Sequence, residues 1–183
     1  MGLPLSLNFR GTTLFVGDGA GETAIPTESE STGTNGWAYP HTFSGLSMGW
    51  DPATGTAQFD RSNGTGAKFA GFASNNTGSA NEFRVDLPEG SYKIAFAAGS
   101  YTALTWSATW TITFHDGTNA TPLFTLNSIP DSGGNSFTDH NDALKTDSTW
   151  SNASPRSVSI TAANGAGGTQ PYLRINIGDG TNL

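Results

Sequence analysis

The chain has 183 residues, 13% of them charged, with a net charge of −7 at pH 7, and its length suits one domain with a sizeable core. It has no cysteine, which excludes disulfides and thiolate metal sites. Its few Lys and Arg residues form no cluster, which argues against a nucleic-acid partner, and no apolar run approaches the roughly 18 residues of a membrane span. The first residues lack the basic and apolar regions of a signal peptide, so we expect synthesis in the cytoplasm without a standard leader.

Alternation of apolar and polar residues predicts β-strands along most of the chain. Gly, Ser, Thr and Asn make up 82 residues, a composition typical of strands joined by tight turns. The predicted strands, in chain order, span residues 5–10, 14–16, 57–60, 68–73, 82–87, 91–98, 105–115, 122–126, 157–162 and 172–177.

The stretch FRVDLPEGSYKIAFAAG, residues 83–99, has the clearest pattern. Apolar residues alternate with polar ones over 83–87, the sequence Pro-Glu-Gly follows at 88–90, and the alternation resumes from Tyr92 to Ala98. We expect two half-buried strands joined by a tight turn.

Residues 105–115 form the strongest single strand. Their apolar side chains share one face and Thr and Ser share the other, as in an antiparallel sheet with one buried and one solvent-exposed face. The residues on the face predicted to be buried are Trp106, Ala108, Trp110, Ile112 and Phe114. The sequence DGTN at 116–119 then predicts a hairpin turn.

Helices are nearly absent from the predicted structure. The best candidate is a helix of about two turns near residue 140, with Asn141 and Asp142 as its cap, while residues 17–56 and 131–155 are predicted to be long irregular loops. The first and last strands are both apolar enough to pair side by side in one sheet. The fold class is therefore all-β, an antiparallel β-sandwich of the jelly-roll type with long loops, in a single domain over residues 1–183.

Several phrases occur in an order that resembles the galactose-binding-like jelly rolls, which include carbohydrate-binding modules and domains attached to polysaccharide lyases and esterases. They are LNFRG, NGWAY, FRVDLPEGSYKIAFAAGS and SVSITAANG followed by YLRINIGDG, and the phrase at 83–92 is the specific one. The resemblance implies the fold, and it implies a binding role more than an enzymatic one. No sugar-binding residue is carried over from it, and structural calcium is common in such domains.

Catalytic motifs are weak in this sequence. Residues 45–49, Gly-Leu-Ser-Met-Gly, match the nucleophile elbow G-x-S-x-G, and Asp116 and His140 follow in the required order. No helix is predicted after Ser47, and such a match arises easily in a chain rich in Gly and Ser. We therefore predict a Gly-rich loop there and no enzyme activity.

One cluster of oxygen-bearing side chains is a candidate metal site. Asp139, Asn141 and Asp142 supply hard ligands of the type that calcium prefers, with His140 between them. The EF-hand spacing is absent, and a helix cap is the alternative interpretation. Asp18 with Glu22 is a weaker candidate, and no other cofactor is predicted.

Aromatic residues in or beside the predicted loops are the candidate carbohydrate-binding residues, because a sugar ring stacks on an exposed aromatic face. The alternative is that each ring closes one end of the sandwich or lies in a subunit contact. Trp37 and Trp50, flanked by Gly, are the first choices for a loop surface. The group comprises Trp37, Tyr39, Trp50, Tyr101 and Trp150, with Tyr172 at a strand boundary.

Two functions of different classes fit the sequence. The first is a non-catalytic surface component of a bacteriophage virion, such as a capsid decoration or a head or tail appendage, made in the host cytoplasm and released by lysis. Its partners would be other virion proteins or copies of itself. The second is a carbohydrate-binding module that recognises a polysaccharide, extracellular if it is part of a secreted enzyme. A carbohydrate-active hydrolase or esterase is a distant third.

Overall fold

The computed structural model describes residues 7–9, 23–25, 39–43, 45–51, 56–60, 71–75, 81–100, 110–129, 136–146, 149, 154–165 and 170–177. These residues form β-strands, apart from turns, connections and one short 3-10 helix at Ala162–Asn164. The strands are β1 Leu7–Phe9, β2 Thr23–Ile25, β3 His41–Phe43, β4 Leu46–Trp50, β5 Thr56–Asp60, β6 Gly71–Asn75, β7 Asn81–Asp86, β8 Gly90–Ile94, β9 Ala97–Ser100, β10 Trp110–Asp116, β11 Pro122–Ile129, β12 Ser136–Asp139, β13 Leu144–Thr146, β14 Arg156–Ile160 and β15 Tyr172–Ile177. The prediction of an all-β, antiparallel architecture is confirmed, and the jelly-roll strand order stays a prediction.

The largest sheet has six strands in the order β11-β10-β15-β7-β4-β3, and all its ladders are antiparallel. Its strands alternate between a buried face and a polar face. Phe83 and Val85 on β7 are buried, and so are Leu173 and Ile175 on the paired strand β15. Ile112 and Phe114 on β10 are buried as the sequence predicts, which sets one face of this sheet against the core.

A second layer covers the buried face. Strand β8 pairs with β14, and the buried side chains of Val158 and Ile160 on β14 belong to the same apolar core as Phe114. Phe96, in the connection from β8 to β9, meets the ring of Phe114 edge-on with 5.0 Å between ring centroids. The core therefore lies between the six-stranded sheet and the β8–β14 ladder, as expected for a two-layer β structure.

The turn after β10 is a hairpin turn, as DGTN predicts. Asn119 N donates to Asp116 O at 3.0 Å, and β10 pairs with β11 on either side of the turn. Gly117 has a φ of +52°, and a Cβ at this position would lie 1.8 Å from the backbone oxygen of Asn164. This turn packs directly on the backbone that follows β14, so only glycine fits there.

The two strands predicted on either side of Pro88-Glu89-Gly90 are confirmed as β7 and β8. They lie in different layers, because β7 pairs with β4 and β15, whereas β8 pairs with β14. The tight turn carries the chain from one layer to the other. The prediction that the first and last strands pair side by side is wrong, since β1 pairs in parallel with β2, and β15 lies between β10 and β7.

The predicted helix near residue 140 and the two predicted long loops are also corrected. Residues 136–146 form the hairpin β12–β13, because its turn is closed by an aspartate that accepts backbone hydrogen bonds. Strands β2, β3 and β4 lie within the segment 17–56. The predicted strand 91–98 is divided between β8 and β9, and the predictions for 14–16, 68–70, 105–109 and the side chain of Trp110 lie outside what the structure describes.

Backbone groups on two strands at the ends of their sheets bond to residues outside the strand ladders. Thr149 Oγ1 accepts the amide hydrogen of Thr146 at 2.7 Å, and Thr149 N donates to Thr146 O at 3.0 Å, so the end of β13 bonds to its own chain. On β11, the amide of Asn127 donates to Asp142 Oδ1 at 2.8 Å. Among the described strands, both lie at the end of a sheet, β13 in the order β13-β12-β9 and β11 in the six-stranded sheet.

Substitution of Gly117 by alanine is expected to lower the free energy of unfolding by about 2–4 kcal/mol, from left-handed backbone strain and overpacking together. Gly45 provides a matched control, because its φ is +79° but a Cβ there meets nothing within 4 Å. Gly45→Ala should cost only about 1 kcal/mol. Denaturant unfolding of both variants measures the difference, and equal losses would contradict the close approach at Gly117.

Candidate functional site

The face of the six-stranded sheet that points away from the core carries polar and charged side chains, and we call it the outer face. It consists of the residues that alternate with the buried ones, chiefly Glu82, Arg84 and Asp86 on β7, Tyr172, Arg174 and Asn176 on β15, and Thr113 and His115 on β10. Register places Arg84 beside Arg174, and Arg174 beside His115. The three form a row across adjacent strands.

Arg84 lies between two tyrosine rings. Its guanidinium carbon is 4.3 Å from the ring centroid of Tyr39 and 3.9 Å from that of Tyr172. Arg84 Nε donates to Asp86 Oδ1 at 2.7 Å, and the hydroxyl of Tyr39 donates to Asp86 Oδ2 at 2.8 Å. The side chains of Arg84 and Asp86 are only 12% and 15% exposed. The two rings and the paired carboxylate thus fix the position of the guanidinium on this face.

Burial raises the pKa of the Tyr39 hydroxyl, and its hydrogen bond to Asp86 raises that pKa further. The hydroxyl therefore stays protonated and acts as a donor. One face of the Tyr39 ring is covered by Arg84, so a sugar could stack only on the opposite face, and the carbohydrate-binding role of Tyr39 stays a prediction.

Arg174 connects the row to the turn after β10. Its Nη1 donates to Glu82 Oε1 at 3.2 Å, and its Nη2 donates to the backbone oxygen of Asn119 at 3.3 Å. His115 Nδ1 lies 3.0 Å from the same oxygen, and its Nε2 lies 3.0 Å from Thr113 Oγ1. Burial lowers the pKa of His115, with Arg174 acting in the same direction, against the opposing effects of the bond to Asn119 and of Glu82.

Asp116 points to the other side of β10 and joins the two layers. It is 4% exposed and accepts hydrogen bonds from Thr161 N at 3.1 Å, Thr161 Oγ1 at 2.7 Å and Asn164 Nδ2 at 2.6 Å. We call these three residues the Asp116 cluster. Donors surround the carboxylate, so its role here is to fix the segment after β14.

The candidate metal ligands lie in the turn of the β12–β13 hairpin. Asp139 Oδ1 accepts the amides of Asn141 and Ala143 at 2.8 and 3.0 Å, and Lys145 Nζ lies 3.8 Å from Asp139 Oδ2. Asp142, with a φ of +60°, caps the amide of Asn127 on β11. The carboxylates hold backbone in place, and the described residues contain no group of three or more His, Cys, Asp or Glu arranged to hold a metal. The structural calcium stays a prediction.

His140 is completely buried and holds the same hairpin against the body. Its Nδ1 accepts the amide of Phe96 at 3.4 Å, so Nε2 carries the proton and donates to Ser154 O at 3.1 Å. Arg156 Nε donates to the backbone oxygen of His140 at 2.8 Å. A histidine with both ring nitrogens bonded to backbone has no nitrogen left to act as a base.

The geometry at residues 45–49 differs from a nucleophile elbow. Ser47 lies within strand β4, and β4 is not followed by a helix among the described residues. The two proposed partners of Ser47 are engaged elsewhere, Asp116 with the Asp116 cluster and His140 with backbone. Among the described residues, Ser47, Asp116 and His140 therefore do not form a triad.

Trp50 is not on a loop surface, and that expectation is wrong. It ends β4, is 2% exposed and meets Phe83 edge-on with 5.1 Å between ring centroids. The alternation of Leu46, Met48 and Trp50 is the signal that sequence reasoning missed. Tyr39 and Tyr172 come together at Arg84, while Trp37, Tyr101 and Trp150 lie outside the described residues, as do Asp18 and Glu22.

Sequence reasoning also missed the arginine row and the Asp116 cluster. A signal for the row was present, because Arg84 and Arg174 occupy polar positions in two clearly alternating strands. Their adjacency depends on the pairing of β7 with β15, which the alternation does not specify.

Comparison with known proteins identifies no relative, since no family model, curated protein or solved structure matches this chain. The fold therefore rests on the observed strands, and the likeness to galactose-binding-like domains stays a prediction. Along the described stretches, no helix has the length and apolar character required to cross a bilayer.

Replacement of Asp116 by asparagine tests the Asp116 cluster. The variant places an amide N–H₂ among donors in a buried site, and we expect a loss of about 1.5–3 kcal/mol in the free energy of unfolding. Glu89→Gln is the control, because Glu89 is exposed and the variant keeps an acceptor for the amide of Ala162. That control should change stability by less than about 0.5 kcal/mol in the same chemical denaturation experiment. If Asp116→Asn leaves the free energy of unfolding unchanged, the cluster does not join the layers.

Proposed function

We propose that this chain is a non-catalytic structural and binding protein, most specifically a surface component of a bacteriophage virion. The observation that carries the proposal is that buried ionisable side chains among the described residues hold the backbone in place. Asp116, Asp139 and His140 are buried, and each is engaged in hydrogen bonds that fix a turn or join two segments.

Catalysis by a side chain needs a nucleophile or base with a free position toward substrate. In these three residues the positions that a substrate would need are occupied. Hydrogen-bond donors surround Asp116, backbone amides bind Asp139, and backbone groups bind both ring nitrogens of His140. A protein built in this way is suited to present a fixed surface, since contacts made by pre-ordered turns lose less entropy on association.

The virion assignment is supported by the character of the chain. It is rich in Gly, Ser, Thr and Asn, acidic and lightly charged, and it lacks cysteine. An acidic, lightly charged surface of this kind suits a protein that needs solubility and little else. The anchored turns at 116–121 and 139–143 are the kind of connections through which a β-sandwich contacts its neighbours.

The test is whether the chain belongs to a particle. Phage particles released on lysis of the producing bacterium are banded in a density gradient and analysed by mass spectrometry. We expect this chain to band with the major capsid protein in a fixed ratio after a high-salt wash. An abundant host cytoplasmic protein, followed as the control, should remain outside the band. Recovery of the chain only from the unbanded fraction would exclude the virion assignment.

A second candidate, a carbohydrate-binding module, is favoured by the outer face. Carboxylate, amide and guanidinium groups stand together there, and these are the groups that hydrogen-bond sugar hydroxyls. Glu82, with 33% of its side chain exposed, and the exposed Asn127 on the outer face of β11 are the positions that a polysaccharide would reach.

A polysaccharide array tests this candidate. If a glycan binds the outer face, Glu82→Ala combined with Asn127→Ala should weaken binding about tenfold or more, because hydrogen-bonding groups are lost. Lys93→Ala combined with Ser159→Ala, at exposed positions on the β8–β14 ladder, should bind as the wild type does. Equal loss in both double variants, or no glycan bound by the wild type, would eliminate the carbohydrate-binding function.

A further inference from the structure

His115 stands where the outer face meets the turn between β10 and β11. It is 6% exposed, and both of its ring nitrogens have partners. Nδ1 can only donate to the backbone oxygen of Asn119, so in the neutral ring Nε2 accepts the hydroxyl hydrogen of Thr113. The neutral ring therefore satisfies both of its neighbours.

The charged groups around His115 come from two neighbouring strands. On β15, Arg174 is its register partner and donates to the same oxygen of Asn119. On β7, Glu82 pairs with Arg174, and Arg84, next in the row, pairs with Asp86. On the other side, β11 places Pro122 opposite His115 and adds no charge at that position.

Protonation of His115 changes this arrangement at two points. Nε2 becomes a donor, so the Thr113 hydroxyl must turn to accept. The imidazolium and the guanidinium of Arg174 then converge on one carbonyl oxygen, and Glu82 supplies a single carboxylate to balance them. Two cations that share one acceptor in a nearly buried site oppose each other strongly.

We propose that the β10–β11 turn, residues 116–121, is an acid-sensitive element that opens when His115 becomes charged. Opening would break the bonds of Gly117 N to Tyr172 O and of Thr118 N to Asn164 O. The second of these ties the turn to the segment after β14. Acid would therefore loosen the join between the two layers, whatever ligand or assembly the protein serves.

The direction of the effect follows from the lowered pKa of His115. In the closed turn this pKa lies below the ordinary value of 6.5, so the open turn binds the proton more readily. The neutral His115 ring stabilises the closed turn fully above about pH 6.5. This stabilisation is lost as the pH falls through the pKa that His115 has in the closed turn. The open population should rise about tenfold for each pH unit between the two pKa values.

Two measurements on the full chain test the proposal. Imidazole NMR spectra follow the titration of His115, and hydrogen exchange follows the amides of Gly117, Thr118 and Asn119 between pH 7.5 and 5.0. Protection factors, corrected for the intrinsic exchange rate at each pH, should fall with acid in the wild type. His115→Asn keeps an N–H donor near Asn119 O but cannot titrate, so its turn should stay protected. His41→Gln, on β3, is the control and should behave as the wild type does.

Unchanged protection of the turn in the wild type while His115 titrates would overturn the proposal. So would an equal loss of protection in His115→Asn. If that variant does not fold, Arg174→Gln provides a second test through the NMR titration alone. Removal of the opposing cation should raise the titration midpoint of His115, and a midpoint that stays in place would show that the two groups do not interact.

Discussion

The packing of Phe114 sets the geometry of the described structure. Its ring is completely buried, stacks on Phe124 with 4.1 Å between centroids and meets Phe96 of the second layer edge-on. Burial of such a ring contributes about 1.5–3 kcal/mol, and it also fixes the phase of β10. With Phe114 inward, His115 must point to the outer face and Asp116 must point back toward the second layer. One aromatic contact thereby orients both of the polar networks that flank it.

Aspartate side chains perform the same task at several turns. Asp116, Asp139 and Asp142 each accept backbone amides, and so replace donors that the strand ladders leave unsatisfied. This use of carboxylates explains why these three acidic side chains serve the backbone of the described structure. It also explains why a cluster such as 139–142 resembles a metal-binding loop in sequence while serving a hairpin turn.

The sequence was sufficient for the strands whose apolar residues alternate without interruption, such as 83–87 and 172–177. It was insufficient at Leu46–Trp50, where Ser and Gly on the outer face reduce the contrast of the pattern. Strand partners were not predictable, because β7 and β15 are neighbours through contacts between residues roughly 90 positions apart. The stack of Tyr39 on Arg84 depends on the pairing of β4 with β7, because Tyr39 N bonds to Trp50 O at the end of β4, and alternation alone does not reveal that pairing.

The hydrogen bonds at the end of β13 have a consequence for self-association at high local concentration. An open strand edge invites pairing with another chain, and proteins that crowd together in many copies are most exposed to this hazard. Thr149 occupies the amide and carbonyl of Thr146, and Asp142 occupies the amide of Asn127. Copies held side by side would thus meet these backbone groups, at one residue on each strand, already bonded within their own chain.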